Sequence, residues 1–493
     1  MEKTRYSIKI VTIRIATFIW ALLPTLLTLI FWFRWYYAIP AVGLLLWASV
    51  KIVMFFRKPE ASGLTERSSL PLTRGVKAIL ILIVPWMVFV GIGGFLGQEG
   101  YDNGFRNAVL EELTYKTWPV VDTQFKPFAY MTYYFSYWLP SAAVGKIFMS
   151  YEVAQICLFV YCYIGLALTA LMVMHYCGCR FFFVGVILFA FCGLDELNRI
   201  VFCDLLVWNL YDIPTPTKVV GAPMAWYLTT YIYNQGIPAW AILMLMLSVR
   251  HRMGLQLLLF ALLLACAPFP ALAVAPILGV GIIRNLKESC SVCNFAGLVV
   301  CMLIVVFYSG NGNGTGISTI FDGEIPFYRI VFFFMGWILC NFVIFIPFIW
   351  KEIREGGYFL FFGLFATSFL FSLLRPGSDG YDFGWKLPMA FTGYFMLLVA
   401  KHCADMHWSS KSVKSWVFAL LLILGSTSNA YLWKNSLFRI NYLLRSPKSP
   451  GLPYRAEFLK GKLFDPDGNG CYDSFVADKP TLYSKYFMPE WKK

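Results

Sequence analysis

Three short stretches of the chain hold the groups that could do chemistry. The first, Gln98-Glu-Gly-Tyr-Asp102-Asn-Gly-Phe-Arg106-Asn107, sets a carboxylate among glycines, with a guanidinium and a carboxamide a helical turn further on. Glycines let a backbone approach a ligand and a carboxylate can take the proton of a hydroxyl, which makes Arg106 and Asn107 candidate substrate-binding groups. Asp102 could equally cap a helix that starts there. The second stretch, Cys192-Gly-Leu-Asp195-Glu196-Leu-Asn-Arg199, offers two adjacent carboxylates and a cation, or simply the charged end of a helix. The third, Arg375-Pro-Gly-Ser-Asp379-Gly-Tyr-Asp382-Phe-Gly-Trp-Lys386, combines glycines with two cations and two carboxylates. Arg375 and Lys386 could hold a phosphate, with Asp382 a further substrate-binding candidate; anchoring at lipid headgroups is the plainer alternative.

Other chemistries are less well served. His175, His251, His402 and His407 are the chain's histidines, and all fall opposite these stretches in the topology below. A base acting there must therefore be a carboxylate, which disfavours a Ser/His/Asp hydrolase. His402 and His407 lack the spacing and the Glu of a metalloprotease helix. Cys290 and Cys293 form a CxxC without further zinc ligands nearby, and most other cysteines lie in apolar runs where a thiol behaves as a small hydrophobe. Cys203 and Cys471 could pair outside the membrane. The glycine-rich run 311–316 lacks the Lys-Ser/Thr of a phosphate loop. Asp465-Pro-Asp467-Gly-Asn469-Gly470 opens like a calcium loop but has Val476 where the closing Glu belongs. No cofactor motif emerges, no residue is assigned to a metal, and a divalent metal is compatible with the chemistry but not required by it.

The elements that must position these stretches are embedded in lipid. Of 493 residues 59% are hydrophobic and only 14% charged, too few charges for a water-facing surface. A hydrocarbon core needs roughly 20 apolar residues in helical form, and such runs recur where a barrel would show short alternating strands. The net charge of +14 is spread in clusters between apolar runs, so it marks topology and does not suggest nucleic acid. Apolar runs near 11–33, 36–56, 77–97, 151–174, 181–194, 235–249, 254–267, 268–284, 294–309, 327–350, 357–374, 388–401 and 414–432 predict an all-α polytopic protein of about thirteen spans. Lys3, Arg5 and Lys9 precede an uncleaved first span, and placing them in the cytoplasm puts the remaining basic clusters there too.

The external segments are then 98–150, 195–234, 310–326, 375–387 and a tail, 433–493, which could cap the outer face. Within 98–150, residues 107–115 could form a helix lying on the membrane. The stretch 128–149, rich in tyrosine, reads as an interfacial or re-entrant element with an aromatic belt. Arg14, Lys51, Glu152 and Arg329 lie near span borders, where long side chains can snorkel. Mid-membrane carboxylate or histidine relays are missing from the spans, which weighs against ion-coupled transport. Residues 1–76 thus form two N-terminal helices with a cytoplasmic loop, ahead of a module at 77–432.

Tyr101-Asp-Asn-Gly-Phe-Arg-Asn-Ala-Val-Leu with Trp118-Pro119-Val120, Gly193-Leu-Asp195 and Tyr381-Asp-Phe-Gly-Trp-Lys-Leu-Pro388 resemble signatures of uncharacterised bacterial multi-spanning proteins of the GT-C type. The order of a span, an acidic first loop, a second acidic loop and short proline-broken spans is also similar to that superfamily of membrane glycosyltransferases. The resemblance covers most of 77–432, with two extra spans ahead of it. It implies a polyprenyl-phosphate-linked sugar as donor and a lipid or glycan acceptor, in the bacterial inner membrane; the span count above puts the N-terminus in the cytoplasm and the C-terminus outside. It further implies Asp102 as base, Asp195 or Glu196 as second acid, and Arg375 or Lys386 on the donor phosphate. A lipid or glycan transporter without covalent chemistry is the competing class, and a membrane scaffold a third.

Overall fold

The computed structural model describes residues 7–58, 69–95, 102–178, 191, 193–194, 232–311, 317–322, 327–376, 382–406, 412–426, 434, 436–441, 445, 463–464 and 475–490. The expected span 181–194 lies almost wholly outside them. Elements run in the order β1 (Ser7–Lys9), α1 (Ile10–Trp32), α2 (Trp35–Phe56), β2 (Ser69–Pro71), α3 (Arg74–Val90), α4 (Asp102–Tyr115), β3 (Val121–Asp122), β4 (Ala129–Met131) and, after a 3-10 turn at Ser136–Trp138, α5 (Leu139–Ile147). They continue with α6 (Tyr151–Tyr176), α7 (Tyr233–Ser248), α8 (Met253–Cys266), α9 (Pro268–Arg284), α10 (Leu286–Ser289), α11 (Val292–Tyr308) and β5 (Ile317–Thr319). The last group is α12 (Phe327–Asn341), α13 (Ile346–Gly356), α14 (Tyr358–Ser372), β6 (Leu374–Pro376), α15 (Asp382–Lys386), α16 (Met389–Asp405), α17 (Val413–Leu424) and β7 (Val476–Ala477).

This is a mostly helical, membrane-embedded architecture. Among the described residues Ile10–Trp32, Trp35–Phe56, Tyr151–Tyr176 and Ile330–Gly356 are long and apolar enough to cross a bilayer, and α8, α9, α11, α14 and α17 are shorter apolar helices. Large apolar side chains point away from the protein along these helices, with Trp35 72%, Ile283 69% and Val413 77% exposed. Such a surface suits lipid and would aggregate in water. Serine and threonine cap several helix starts: Thr73, Ser150, Ser291 and Ser412 each accept from a backbone N–H one turn in.

Close helix crossings are made by glycine. A Cβ on Gly297 of α11 would stand 2.5 Å from the Leu257 carbonyl carbon and the Leu258 nitrogen of α8. Gly165 of α6 admits the Trp20 ring of α1, and Gly393 of α16 admits the Trp240 ring of α7. With lipid tails as apolar as the side chains, this close packing and buried hydrogen bonds must hold the helices together.

The bundle has two distinct ends. At one, β1 pairs antiparallel with β2, Ile8 opposite Leu70, and Arg250 donates to the Gly356 and Glu355 carbonyls. At the other, β4 is flanked by β3 and β7, so residues 476–477 of the tail form a sheet with the first long loop. Tyr483 donates to the Trp32 carbonyl (2.5 Å), and Arg34, in the turn between α1 and α2, donates from Nε to the Met488 carbonyl (2.9 Å). There too β5 pairs with β6, Ser318 opposite Arg375, joining loops 310–326 and 375–387.

Three expectations need correction. Residues 128–149 do not present an aromatic belt outward, since Tyr130, Tyr133, Tyr137 and Trp138 are buried. Their polar atoms find protein partners instead of headgroups: Tyr137 donates to Cys162 Sγ (3.3 Å) and Trp138 Nε1 to Tyr233 Oη (2.9 Å). The helix of the first loop starts at Asp102, and Asn103–Leu110 are all buried against α5 and α6, so it is enclosed by protein. Arg14 does not snorkel; it is 2% exposed and donates to the Ser248 carbonyl (3.3 Å).

Gly297→Ala should therefore lower stability by about 1–3 kcal/mol through overpacking. Gly279→Ala, where nothing lies within 4 Å of the added carbon, should be neutral or slightly stabilising. Thermal unfolding of the two variants in detergent checks the contrast.

Candidate functional site

The first candidate stretch becomes the start of α4. Its residues are polar, yet the helix is buried, because α5 and α6 supply partners. Gln155 of α6 donates to Asn107 Oδ1 (2.8 Å) and also to Tyr151 Oη. Asn107 is thus a strut between α4 and α6. Arg106, its neighbour, is 7% exposed, which places a guanidinium inside the protein. Asp102 opens the helix one turn before Arg106; its side chain lies outside the described set.

Glu112 on this helix and Asp122 after it are occupied. Lys116 Nζ lies 2.8 Å from Glu112 Oε2 and also bonds the Asp122 carboxylate. Burial pushes the Glu112 carboxyl up, and Lys116 pulls it part of the way back.

The third stretch forms α15, a short helix between β6 and α16. Lys386, at its end, is 8% exposed and donates to Tyr134 Oη (2.9 Å). Its ammonium lies 5.3 Å from the Tyr134 ring centroid and 5.0 Å from that of Phe269. Phe383 of α15 packs edge-on to Phe269, completing an apolar wall. Buried ammonium groups need such company, since hydroxyl and ring faces replace part of the lost water.

The charges of Lys386 and Arg106 both act on Tyr133. Burial pushes the Tyr133 hydroxyl well above the phenolic range and Tyr134 adds to this, while Lys386 and Arg106 both pull it down. Tyr133 stacks on Trp138 and lies 3.7 Å, centroid to centroid, from Tyr134. Trp138 in turn holds Tyr233 of α7. Lys386 of the third stretch therefore sits within a cluster of tyrosines on which the charge of Arg106, from the first stretch, also acts; the cluster draws on the 3-10 turn, α7, α9 and α15.

Arg375 stands elsewhere on the same end. It lies in β6 opposite Ser318, close enough to Asp322 for its charge to act there. The Asp322 carboxylate is held below its usual range first by the Thr319 backbone N–H, then by the Thr319 hydroxyl, with Arg375 adding to both. The Asp382 side chain, and Asp195, Glu196 and Arg199 entirely, lie outside the described residues. Just before them, Gly193 takes a left-handed backbone (φ 76°) against Asn341, the last residue of α12, where a Cβ would collide with the carboxamide. His407, Cys203, Cys471, residues 312–316 and the 465–470 turn also fall outside.

Among the described residues no group of three or more His, Cys, Asp and Glu side chains is arranged to hold a metal. Cys293 of the CxxC is buried with Sγ toward the Ala48 carbonyl (3.7 Å), a packing role. The tyrosines of this site belong to the run Tyr130, Tyr133, Tyr134, Tyr137, Trp138, a pattern that in sequence reads as a membrane interface because both settings use an amphipathic ring.

No family model, no curated protein and no solved structure matches the chain. Tyr134→Phe should destabilise the protein by about 2 kcal/mol, because it removes an acceptor from a buried ammonium. Tyr36→Phe, which deletes an exposed contact with Arg34, should change little; chemical unfolding in detergent compares them.

Proposed function

We propose that this protein is a membrane glycosyltransferase of the GT-C type, taking a sugar from a polyprenyl-phosphate donor and passing it to a lipid or glycan acceptor. The observation that carries this reading is the buried Lys386 bonded to Tyr134 between two ring faces, with Arg106, buried on a separate loop, near enough for its charge to act on Tyr133. Two cations among aromatic rings suit a phosphate joined to an apolar chain: the charges bind the phosphate and the rings accept the chain or the sugar face. Asp102 begins the helix that carries Arg106, within one turn of it.

In the reaction, the acceptor hydroxyl gives its proton to a carboxylate, Asp102 first among the candidates, with Asp195 and Glu196 behind it. The oxygen then bonds to the anomeric carbon as the bond from that carbon to the phosphate oxygen breaks. The electron pair leaves on the phosphate, where Arg106 and Lys386 stabilise the added charge. The products are the glycoside and polyprenyl phosphate. A divalent metal could share the phosphate, but no step requires it.

The setting we propose is the bacterial cytoplasmic membrane, crossed about thirteen times. The positive-inside rule assigns the end bearing Arg250, Arg252 and Arg284 to the cytoplasm and the tyrosine cluster to the outer side.

Purified protein supplied with short-chain polyprenyl-phosphate sugars and an acceptor extract should transfer sugar, and Asp102→Asn should reduce the rate by about a hundredfold or more. Lys386→Met should chiefly weaken donor binding. Full transfer by Asp102→Asn, Asp195→Asn and Glu196→Gln variants, equally expressed, would overturn the assignment of a carboxylate base. Movement of labelled lipid across sealed vesicles without covalent change would identify a transporter instead.

A further inference from the structure

Two carboxamides next to this cluster have nothing to bond to. Asn234 and Gln235, in the first turn of α7, are each 0% exposed, and both polar atoms of each side chain lack a hydrogen-bond partner. A buried amide carries two donors and an acceptor that water would otherwise serve, so a pair left unmade is costly and calls for an occupant. The residue before them, Tyr233, accepts from Trp138 and lies within reach of the Arg106 charge. The turn that carries both carboxamides is thus tied to the cationic, aromatic cluster through Tyr233.

Their chemistry differs from that of the cluster. Arg106 and Lys386 only donate, which suits an anion, whereas a carboxamide both donates and accepts. That matches a hydroxyl, which does the same, and a ring bearing several hydroxyls offers partners to carboxamides that leave a helix in different directions. Neither Asn nor Gln titrates, so neither adds charge that would compete for the phosphate.

We infer that Asn234 and Gln235 form a neutral subsite that reads the hydroxyls of the donor's sugar, while Arg106 and Lys386 take its phosphate. This rests on the lipid-phosphate reading above and adds to it the group that distinguishes a glycosylated lipid from a bare one. The sugar is the occupant that the cluster's own ligand would bring to this place.

The test compares two phosphodiesters of equal charge: a short-chain polyprenyl phosphate carrying a hexose, and the same lipid phosphate carrying a methyl group. Binding to the full-length protein in detergent is measured for each. Wild type should prefer the hexosyl diester by about tenfold or more, since a site built for hydroxyls rejects an analogue without them. Asn234→Leu and Gln235→Met should reduce that preference to about twofold or less, leave methyl-diester affinity unchanged and melt no lower than wild type, because they remove unsatisfied buried groups. Lys386→Met should weaken both diesters alike. If wild type binds neither, the lipid-phosphate reading fails and this inference with it. If wild type binds both equally, or the preference survives both carboxamide substitutions, the subsite is overturned while the lipid-phosphate reading stands. Should either variant fail to fold, a diazirine on the hexose of the wild-type ligand decides: crosslinking to the peptide spanning 232–236 supports the subsite, and labelling confined to other peptides refutes it.

Discussion

A charge can stay inside an apolar bundle only if the protein supplies what water would have given it. Lys386 meets this condition through the Tyr134 hydroxyl and two ring faces, and much of the loop end is organised around doing so. Tyr134 belongs to a segment that begins with β4 and turns at Ser136–Trp138; Phe269 stands on the first turn of α9; Phe383 comes from α15 itself. Holding one ammonium thus fixes three separated parts of the chain relative to one another. Arg106 extends the same logic to α4, whose enclosure would be hard to explain if its polar residues had no role beyond packing.

The β-pairings give that arrangement its frame. β4 is held by the tail strand β7, and β5 holds β6 just ahead of α15. Each is only two or three residues long, and short strands contribute little alone. Their value here lies in geometry: they tie loop to loop and tail to loop beside the cluster, which limits the freedom of the segments that wall it.

Much of the helical frame was legible because membrane spans are read by length. The apolar runs near 11–33, 36–56, 151–174, 254–267 and 268–284 fall within a few residues of α1, α2, α6, α8 and α9. Apolar length says nothing, however, about what a polar residue will touch. Tyr134 and Lys386 are separated by 252 positions and Arg14 and Ser248 by 234, so no local pattern could pair them. The tyrosines of 130–137 misled for a physical reason: an amphipathic ring satisfies its hydroxyl equally at a headgroup or on a distant side chain. Of the candidate cations, Arg106 and Lys386 both act on Tyr133, whereas Arg375 joins the β5–β6 pairing, and only the fold makes that distinction.

The sheet of β3, β4 and β7 has a bearing on biogenesis. Residues 475–490 leave the ribosome after every described helix has been made, yet they pair with Ala129–Met131, bond the α1–α2 turn and pack against Tyr130. A chain still being inserted therefore has its helices before it has the last wall beside the tyrosine cluster. The fold at that end therefore closes only once the chain has been made as far as these residues, and a chain stopped before residue 475 would carry Arg106 and Lys386 without the wall that β7 and Tyr483 supply.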